Sequence, residues 1–356
     1  MLFVLGIAGV IWGIGALMKV PRRQRLILIA VLWALVVIEH LVLPAGHPLR
    51  LATGGSAQVW LSLGLVAAVV AAYRAGLGRL RQRVVSGPPV PATQAFRPAE
   101  LDRYARHIML REIGGPGQRR LKDAKVLVIG AGGLGAPALL YLAASGVGRI
   151  GVIDDDVVET SNLQRQVIHT DARIGLPKVQ SASEAMRALN PFIEVRPYQR
   201  RLDAALAADL FAGYDLILDG SDNFDTRYLA NRTAVALGKP LIAAAITQWE
   251  GQISLYDPLR GGPCYECVFP VRPAAGMVPS CAEAGVSAPL PGVLGSLMAL
   301  EAVKFLTGAG DSLRGRLMLF DGLHGENRSI TLRKRAECSV CGQDHATGWT
   351  APAATP

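Results

Sequence analysis

Residues 126–156 read VLVIGAGGLGAPALLYLAASGVGRIGVIDDD. The stretch opens on an apolar run of strand length and passes through Gly130-x-Gly132-x-x-Gly135. It continues in a helix-forming segment and closes on a second apolar run ending at Asp154. Strand, glycine turn, helix and strand in that order form the unit on which doubly wound sheets hold nucleotides. Gly130 allows the tight turn, Gly132 lets backbone approach a phosphate, and Gly135 lets the helix sit close on the strand. Asp154 falls roughly 20 residues on, where an acidic side chain takes ribose hydroxyls. The pattern predicts a ligand with a ribose and phosphates, and by itself leaves NAD, FAD and other nucleotides open.

Outward from this unit the alternation continues. Strands are predicted at 125–129, 149–154, 193–198, 215–219 and 241–245, and helices at 136–145, 178–189, 202–211 and 226–237, each closed by Gly, Pro or Asn. The expectation is an α/β fold, a Rossmann-like doubly wound parallel sheet with ligands at the carboxyl ends of its strands. Beyond EGQISLYDP the pattern turns irregular and rich in Gly, Pro and Cys. It recovers in one strong helix, GVLGSLMALEAVKFLTG, and two strands, GRLMLFDG and NRSITLRK.

The first 83 residues are different in kind. Apolar runs at 2–18, 26–43 and 57–73 account for much of a mean hydropathy of +0.30. Each is about long enough to cross ~30 Å of hydrocarbon. The first run has no basic flank before it and no small-residue cleavage site before Lys19, so it does not read as a signal peptide. Residues 1–96 carry nine of the 37 Lys and Arg but one of the 28 acidic residues, leaving 28 basic against 27 acidic in the remainder. The basic excess therefore belongs to the apolar segment, and no nucleic-acid partner is expected for the globular part. The bases cluster in KVPRRQR and YRAGLGRLRQR, while PAGHPLRLATGGS is nearly uncharged. The positive-inside rule then predicts a multi-pass protein of the inner (plasma) membrane, with the N-terminus outside and the globular domain in the cytoplasm. The expected organisation is a three-helix transmembrane segment (1–83), a Pro-rich linker (84–98), a globular domain (99–345) and a disordered tail (346–356).

Two groups of residues bear on the ligand. Asn162, Arg165 and Lys178 follow the glycine unit, and two cations there suit the phosphate charge of a nucleoside triphosphate better than a dinucleotide. An ordinary solvated basic loop has the same spacing. In LILDGSDNFDTR, Asp222 lies just past a strand's carboxyl end, where it can hold Mg²⁺. Asp219 and Asp225 could serve instead, or cap the next helix.

All five cysteines lie in the last 100 residues. Cys264-x-x-Cys267 and Cys338-x-x-Cys341 make two pairs with 70 residues between them, as in a closed, structural Cys₄ zinc site, with two disulfides as the alternative. Cys281 is left over, either a reactive thiol or a small semi-buried apolar residue.

The segments GAGGLG, DDDVVETSNLQRQ, GLPKV, DGSDN and CAEAGVSAPLPGVLGSLMALEAVKFLTG together resemble the ThiF/MoeB/HesA family over roughly residues 99–342. The cysteine-containing segment is most similar to the molybdopterin-synthase adenylyltransferase branch. Residues 1–96 have no counterpart in that resemblance. It implies the ubiquitin-activating-enzyme type of fold, ATP as the nucleotide, and adenylation of the C-terminal glycine of a ubiquitin-like sulfur carrier ending in Gly-Gly. It places Gly130, Gly132, Gly133 and Gly135 in the phosphate turn and Asp154 on the ribose. Asn162, Arg165 and Lys178 fall on the phosphates, with Asp156 and Asn223 beside the nucleotide, and Asp222 on Mg²⁺. It further implies Zn²⁺ on the four paired cysteines, a thioester or acyl-disulfide role for Cys281, and a homodimer in which Arg106 reaches the partner's site. The sulfur donor is expected to be a separate protein. His107, His169 and His324 are read as packed or solvated side chains. Rival readings are the same chemistry on a thiamine, cysteine or tRNA-thiolation carrier, an NAD- or FAD-dependent oxidoreductase, and a membrane-bound scaffold.

Overall fold

The computed structural model describes residues 1–18, 20–44, 46–84, 96–273 and 284–342. The chain divides into two compact units, Met1–Pro91 and Ala92–Pro356.

The first unit consists of α1 (Leu2–Leu17), α2 (Arg22–Val42), α3 (Pro48–Thr53) and α4 (Ala57–Val84). Stretches of α2 (Gln24–Val42) and α4 (Ala57–Arg74) are long and apolar enough to cross a membrane. At 16 residues α1 is about 24 Å long, short of the ~30 Å hydrocarbon thickness, so by length two of the three expected spans qualify and the first does not. The third helix that qualifies by length and composition is a core helix of the other unit, Pro289–Thr307, with over half of it buried. In the uncharged loop an unexpected short helix, α3, starts with Pro48 and is capped by His47, whose Nδ1 accepts from Leu49 N at 3.3 Å. Glu39 and His40, which interrupt the second apolar run, both meet the Thr53 hydroxyl, at 3.1 Å from Glu39 Oε1 and 3.0 Å from His40 Nε2, while the buried His40 Nδ1 has no partner among the described residues.

The second unit begins with two amphipathic helices, α5 (Pro98–Ile108) and α6 (Gly114–Asp123). The expected alternation follows: β1 (Lys125–Ile129), α7 (Gly135–Ser145), β2 (Arg149–Ile153), α8 (Lys178–Leu189), β3 (Glu194–Tyr198), α9 (Ala204–Ala212), β4 (Leu216–Asp219), α10 (Phe224–Ala236) and β5 (Leu241–Ile246). Then come β6 (Glu250–Tyr256), the short α11 (Tyr265–Val268), α12 (Pro289–Thr307), β7 (Arg316–Asp321) and β8 (Glu326–Thr331). The sheet order is β3-β2-β1-β4-β5-β6-β7-β8.

β1 to β5 pair in parallel, but β6, β7 and β8 are antiparallel. The expected parallel sheet is thus corrected to a mixed one. The reason is local: β5 reaches β6 and β7 reaches β8 through loops too short for a crossover helix, which only antiparallel pairing allows. Side chains alternate between two cores. Val126, Val128, Ile150, Val152, Leu216 and Leu218 face α7, α8 and α12, whereas Leu127, Ile129 and Ile217 face Phe211 of α9 and Ala230 of α10. At Gly295 of α12 a Cβ would strike the Leu134 carbonyl and the Pro137 ring, which explains why this helix packs so close to α7. The strand order reverses at β1, with β2 on one side and β4 on the other, and a crevice opens at their carboxyl ends.

Candidate active site and metal centre

That crevice is a cavity of about 1270 Å³, which continues over the ends of β5, β6 and β7. Its floor is the glycine turn. Gly130 has φ +90°, open to glycine at no cost, and a Cβ at Gly135 would run into the carbonyl oxygen of Gly130. Asp154 ties the turn to β2: Oδ2 accepts from Ala131 N at 2.7 Å and Oδ1 from Asp156 N at 2.9 Å. Burial pushes the Asp154 pKa up, against the pull of those two amides and of Lys178. The same turn is held from beneath by buried His169, whose Nε2 lies 3.0 Å from Ala131 O and Nδ1 2.9 Å from Ser181 Oγ. A carbonyl only accepts, so Nε2 carries the proton. Burial lowers the pKa of this ring, so it is a structural, neutral histidine, as its sequence suggested.

Lys178 is the first residue of α8, and its buried ammonium sits 2.6 Å from Asp156 Oδ2. Asp156, expected beside the nucleotide, thus holds the lysine at the cavity wall. Arg165 is half-buried, with Nη1 on Ser161 O at 3.1 Å. Asn162 is buried and accepts from Gln166 Nε2 at 2.9 Å. Gln166 was not among the expected residues. It lines the cavity, is 4% exposed, and its Oε1 has no hydrogen-bond partner, so it offers a buried acceptor there. The signal was in the sequence, since Asn162 and Gln166 are one helical turn apart in SNLQRQ.

The structure separates the three acids beyond β4. Asp219 is buried and accepts from Ser221 N and Oγ, and Asp225 is paired with Arg272 at 2.6 Å. Asp222 alone is exposed on the cavity wall with no side-chain partner among the described residues, the condition a Mg²⁺ ligand needs. Neither aspartate caps α10. Asn223 does, accepting from Thr226 N at 2.9 Å. Behind this loop the buried Arg227 bonds the carbonyls of Ser221 and, at 2.9 Å, Ala244.

One cavity therefore gathers Gly130, Gly132, Gly133, Asp154, Asp156, Asn162, Arg165, Lys178, Asp222 and Asn223. Arg200, Arg201 and Arg272, which the sequence reading passed over, add positive charge to the same lining. Arg106 is exposed on α5 and does not line the cavity of its own chain. His107 lies 3.2 Å from Gln118 Oε1 and His324 2.9 Å from Asp321 Oδ2. Cys281 lies outside the described residues.

Cys264, Cys267, Cys338 and Cys341 are all buried, with Sγ atoms 3.6 Å apart for 264–338, 3.4 Å for 267–341 and 3.9 Å for 264–267. A disulfide needs about 2.05 Å. Four sulfurs at ~2.3 Å from a tetrahedral zinc would lie about 3.8 Å apart, so the cluster fits that ion. Hydrogen bonding to Cys341 and burial push Cys264 up, and burial pushes Cys267 up to about 11. The cluster resists multiple charges until a dication joins it. Arg335 N approaches Cys267 Sγ at 3.5 Å. The four-cysteine knuckle reaches the cavity: Tyr265 lines it, and Glu266 is bound by Asn231 and Arg232 of α10.

Known proteins are similar to this chain in sequence and in fold. A sulfur carrier protein adenylyltransferase of Thermus thermophilus is 51% identical over 249 residues, 69% of this chain and 92% of that protein. The probable adenylyltransferase/sulfurtransferase MoeZ of Mycobacterium tuberculosis is 52% identical over 250 residues, 69% of this chain and 64% of that one. The adenylyltransferase and sulfurtransferase MOCS3 of Bos taurus is 49% identical over 267 residues, 75% of this chain and 58% of that one. The chain thus spans under two thirds of the last two. A crystal structure of Escherichia coli MccB with ATP superposes with a TM-score of 0.58 at 26% identity, covering 68% of this chain and 74% of that one. The sequence pattern defining the ThiF family matches residues 104–340, which hold the glycine turn, the acid past β4 and three of the four paired cysteines, and the chain belongs to the ThiF family.

Proposed function

We propose that this protein adenylates the C-terminal glycine of a ubiquitin-like sulfur carrier, using ATP and releasing pyrophosphate. The observation that carries the reading is the composition of the cavity. A glycine turn, a ribose-type acid, Lys178, Arg165 and the unpaired Asp222 share one wall, and the space continues over β5–β7, where a second substrate can enter. In the reaction a carboxylate oxygen of the carrier attacks the α-phosphorus. The bond to the bridging oxygen breaks, pyrophosphate leaves with the electron pair, and an acyl adenylate remains. The protein's work is alignment and charge stabilisation. Lys178 and Arg165 neutralise phosphate charge, Asp154 and Gln166 orient the nucleoside end, and Asp222 would hold Mg²⁺, which neutralises charge on the leaving group. Arg106, remote from its own cavity, serves the site of a second copy in a homodimer. Zinc on the four cysteines is structural, because all four positions are taken by sulfur.

Of the carriers, the small subunit of molybdopterin synthase is our choice, on the segment around Cys281. The sulfur carrier adenylyltransferase named in Thermus supports the chemistry and leaves the carrier's pathway open. Residues 1–83 anchor the enzyme in the inner membrane with its catalytic unit in the cytoplasm. ATP–pyrophosphate exchange with a panel of small carriers ending in Gly-Gly tests the reading. Exchange dependent on one carrier is expected, and none with any carrier, from a folded zinc-loaded protein, overturns it.

A further inference from the structure

At the end of the sheet opposite the nucleotide cavity lies a second cleft, of about 910 Å³, lined by Arg260, Lys304, Arg314 and Arg316 against one acidic side chain, Asp311. The strand register brings these together: Arg316 starts β7 opposite Thr331, the last residue of β8, and Leu241 starts β5 opposite Tyr256, the last residue of β6. The cations are only partly neutralised. One buried carboxylate, Asp257, is shared by Arg260 at 3.2 Å and Arg314 at 3.3 Å. Lys304 pairs with Glu301, and among the described residues Arg316 Nη2 reaches the carbonyls of Asp311 and Ser312 and no carboxylate. Exposed Arg333 and Lys334 follow β8 at the same end, and Leu259, beside Arg260, is 73% exposed. This charge is concentrated, because the whole segment 97–356 has a net charge of only +1.

The chain also enters the unit here. Phe96 lies under Lys122, whose Nζ is 4.7 Å from the ring, and Lys122 stands three residues before β1. Fully extended, residues 85–95 reach no more than about 40 Å. We propose that this basic end docks on an anionic phospholipid surface, with phosphate headgroups in the cleft and Leu259 at the acyl boundary. The nucleotide cavity, at the other end of the sheet, then opens away from the lipid toward a diffusing carrier. The inference rests on the membrane-anchor reading and is independent of the adenylation chemistry.

The test is hydrogen exchange on the full chain in nanodiscs of phosphatidylcholine alone or with 30% phosphatidylglycerol. With the anionic lipid, exchange in 257–262 and 308–316 should slow about fivefold, and the effect should fade in high salt. Exchange near Gly130 should be unchanged. The variant R260E/R333E/K334E, which changes exposed side chains, should lose the slowing while keeping its zinc and carrier-dependent pyrophosphate exchange. Equal exchange in the two lipids overturns the proposal. So does the same slowing in detergent with inorganic phosphate, which would assign the cleft to a free anion, or with RNA, which would assign it to nucleic acid. A chain that stays soluble without lipid overturns the anchor and the docking together and leaves adenylation standing.

Discussion

Three aspartates within seven residues illustrate how a site is decided one side chain at a time. In DGSDNFD the position just past a strand's end favours Asp222 but leaves Asp219 and Asp225 open, whereas the fold buries the first, pairs the third and leaves the second free on the cavity wall. Asp222→Ala should therefore slow carrier-dependent pyrophosphate exchange by about 10²-fold or more, with Asp225→Ala within a few-fold of wild type. Equal losses would dissolve the distinction. Arg106→Ala should be comparably slow, and mixing it with Asp222→Ala should restore some activity in heterodimers if the arginine acts across the interface. His169 allows a pH prediction. Its folded pKa is depressed below 6.5 by burial, so the unfolded chain binds the proton more readily. The histidine's contribution is complete above 6.5 and is lost as the pH falls below it, at no more than about 1.4 kcal/mol per pH unit. His169→Gln should flatten the fall of the unfolding midpoint between pH 7 and 5.5, and an unchanged slope would assign acid sensitivity elsewhere.

At the scale of elements, the glycine turn and the cysteine knuckle are the two parts whose sequence spacing carried over into geometry. The glycines suit their places because one φ is positive and one Cβ has no room. Gly135→Ala should destabilise the unit by about 1–3 kcal/mol through overpacking. The knuckle is coupled to α10 through Glu266, and α10 begins at the cavity. Cys267→Ser, or strong chelation, should remove one bound zinc and lower the unfolding midpoint by about 10 °C, reducing exchange as well. Zinc loss without a change in stability would make the knuckle a passive surface feature. The antiparallel half of the sheet was less legible. β7 and β8 were foreseen as strands, but the antiparallel turn from one to the other follows from the short loop between them, and β6, within EGQISLYDP, was not among the strands expected.

For the whole molecule, the two units differ in the surface they expose. The second unit packs around two apolar cores, while in the first the stretches Gln24–Val42 and Ala57–Arg74 leave most of their apolar side chains exposed. The full chain should need detergent or lipid to stay dispersed, whereas a chain beginning at Arg97 should stay soluble and keep its pyrophosphate exchange. Full-length protein in the soluble fraction would refute the anchor. Of the three apolar runs, the first forms a helix of 16 residues, shorter than the apolar stretches of α2 and α4, and its bounds differ by one residue from the run read in the sequence.

The chain's own order of residues determined the nucleotide unit, the alternation of strand and helix, the cysteine quartet and the separate apolar segment. The first, second and last depend on contacts between near neighbours or on a repeat period, which a linear pattern records, and the quartet was legible because each of its two Cys-x-x-Cys pairs is local. Tertiary structure decided which aspartate is free, that Asp156 is engaged by Lys178, that Gln166 faces the cavity and that Arg106 does not, and that Pro289–Thr307 is a core helix despite its apolar length. Those outcomes depend on which distant segments the sheet brings together, and burial and pairing are properties of that assembly.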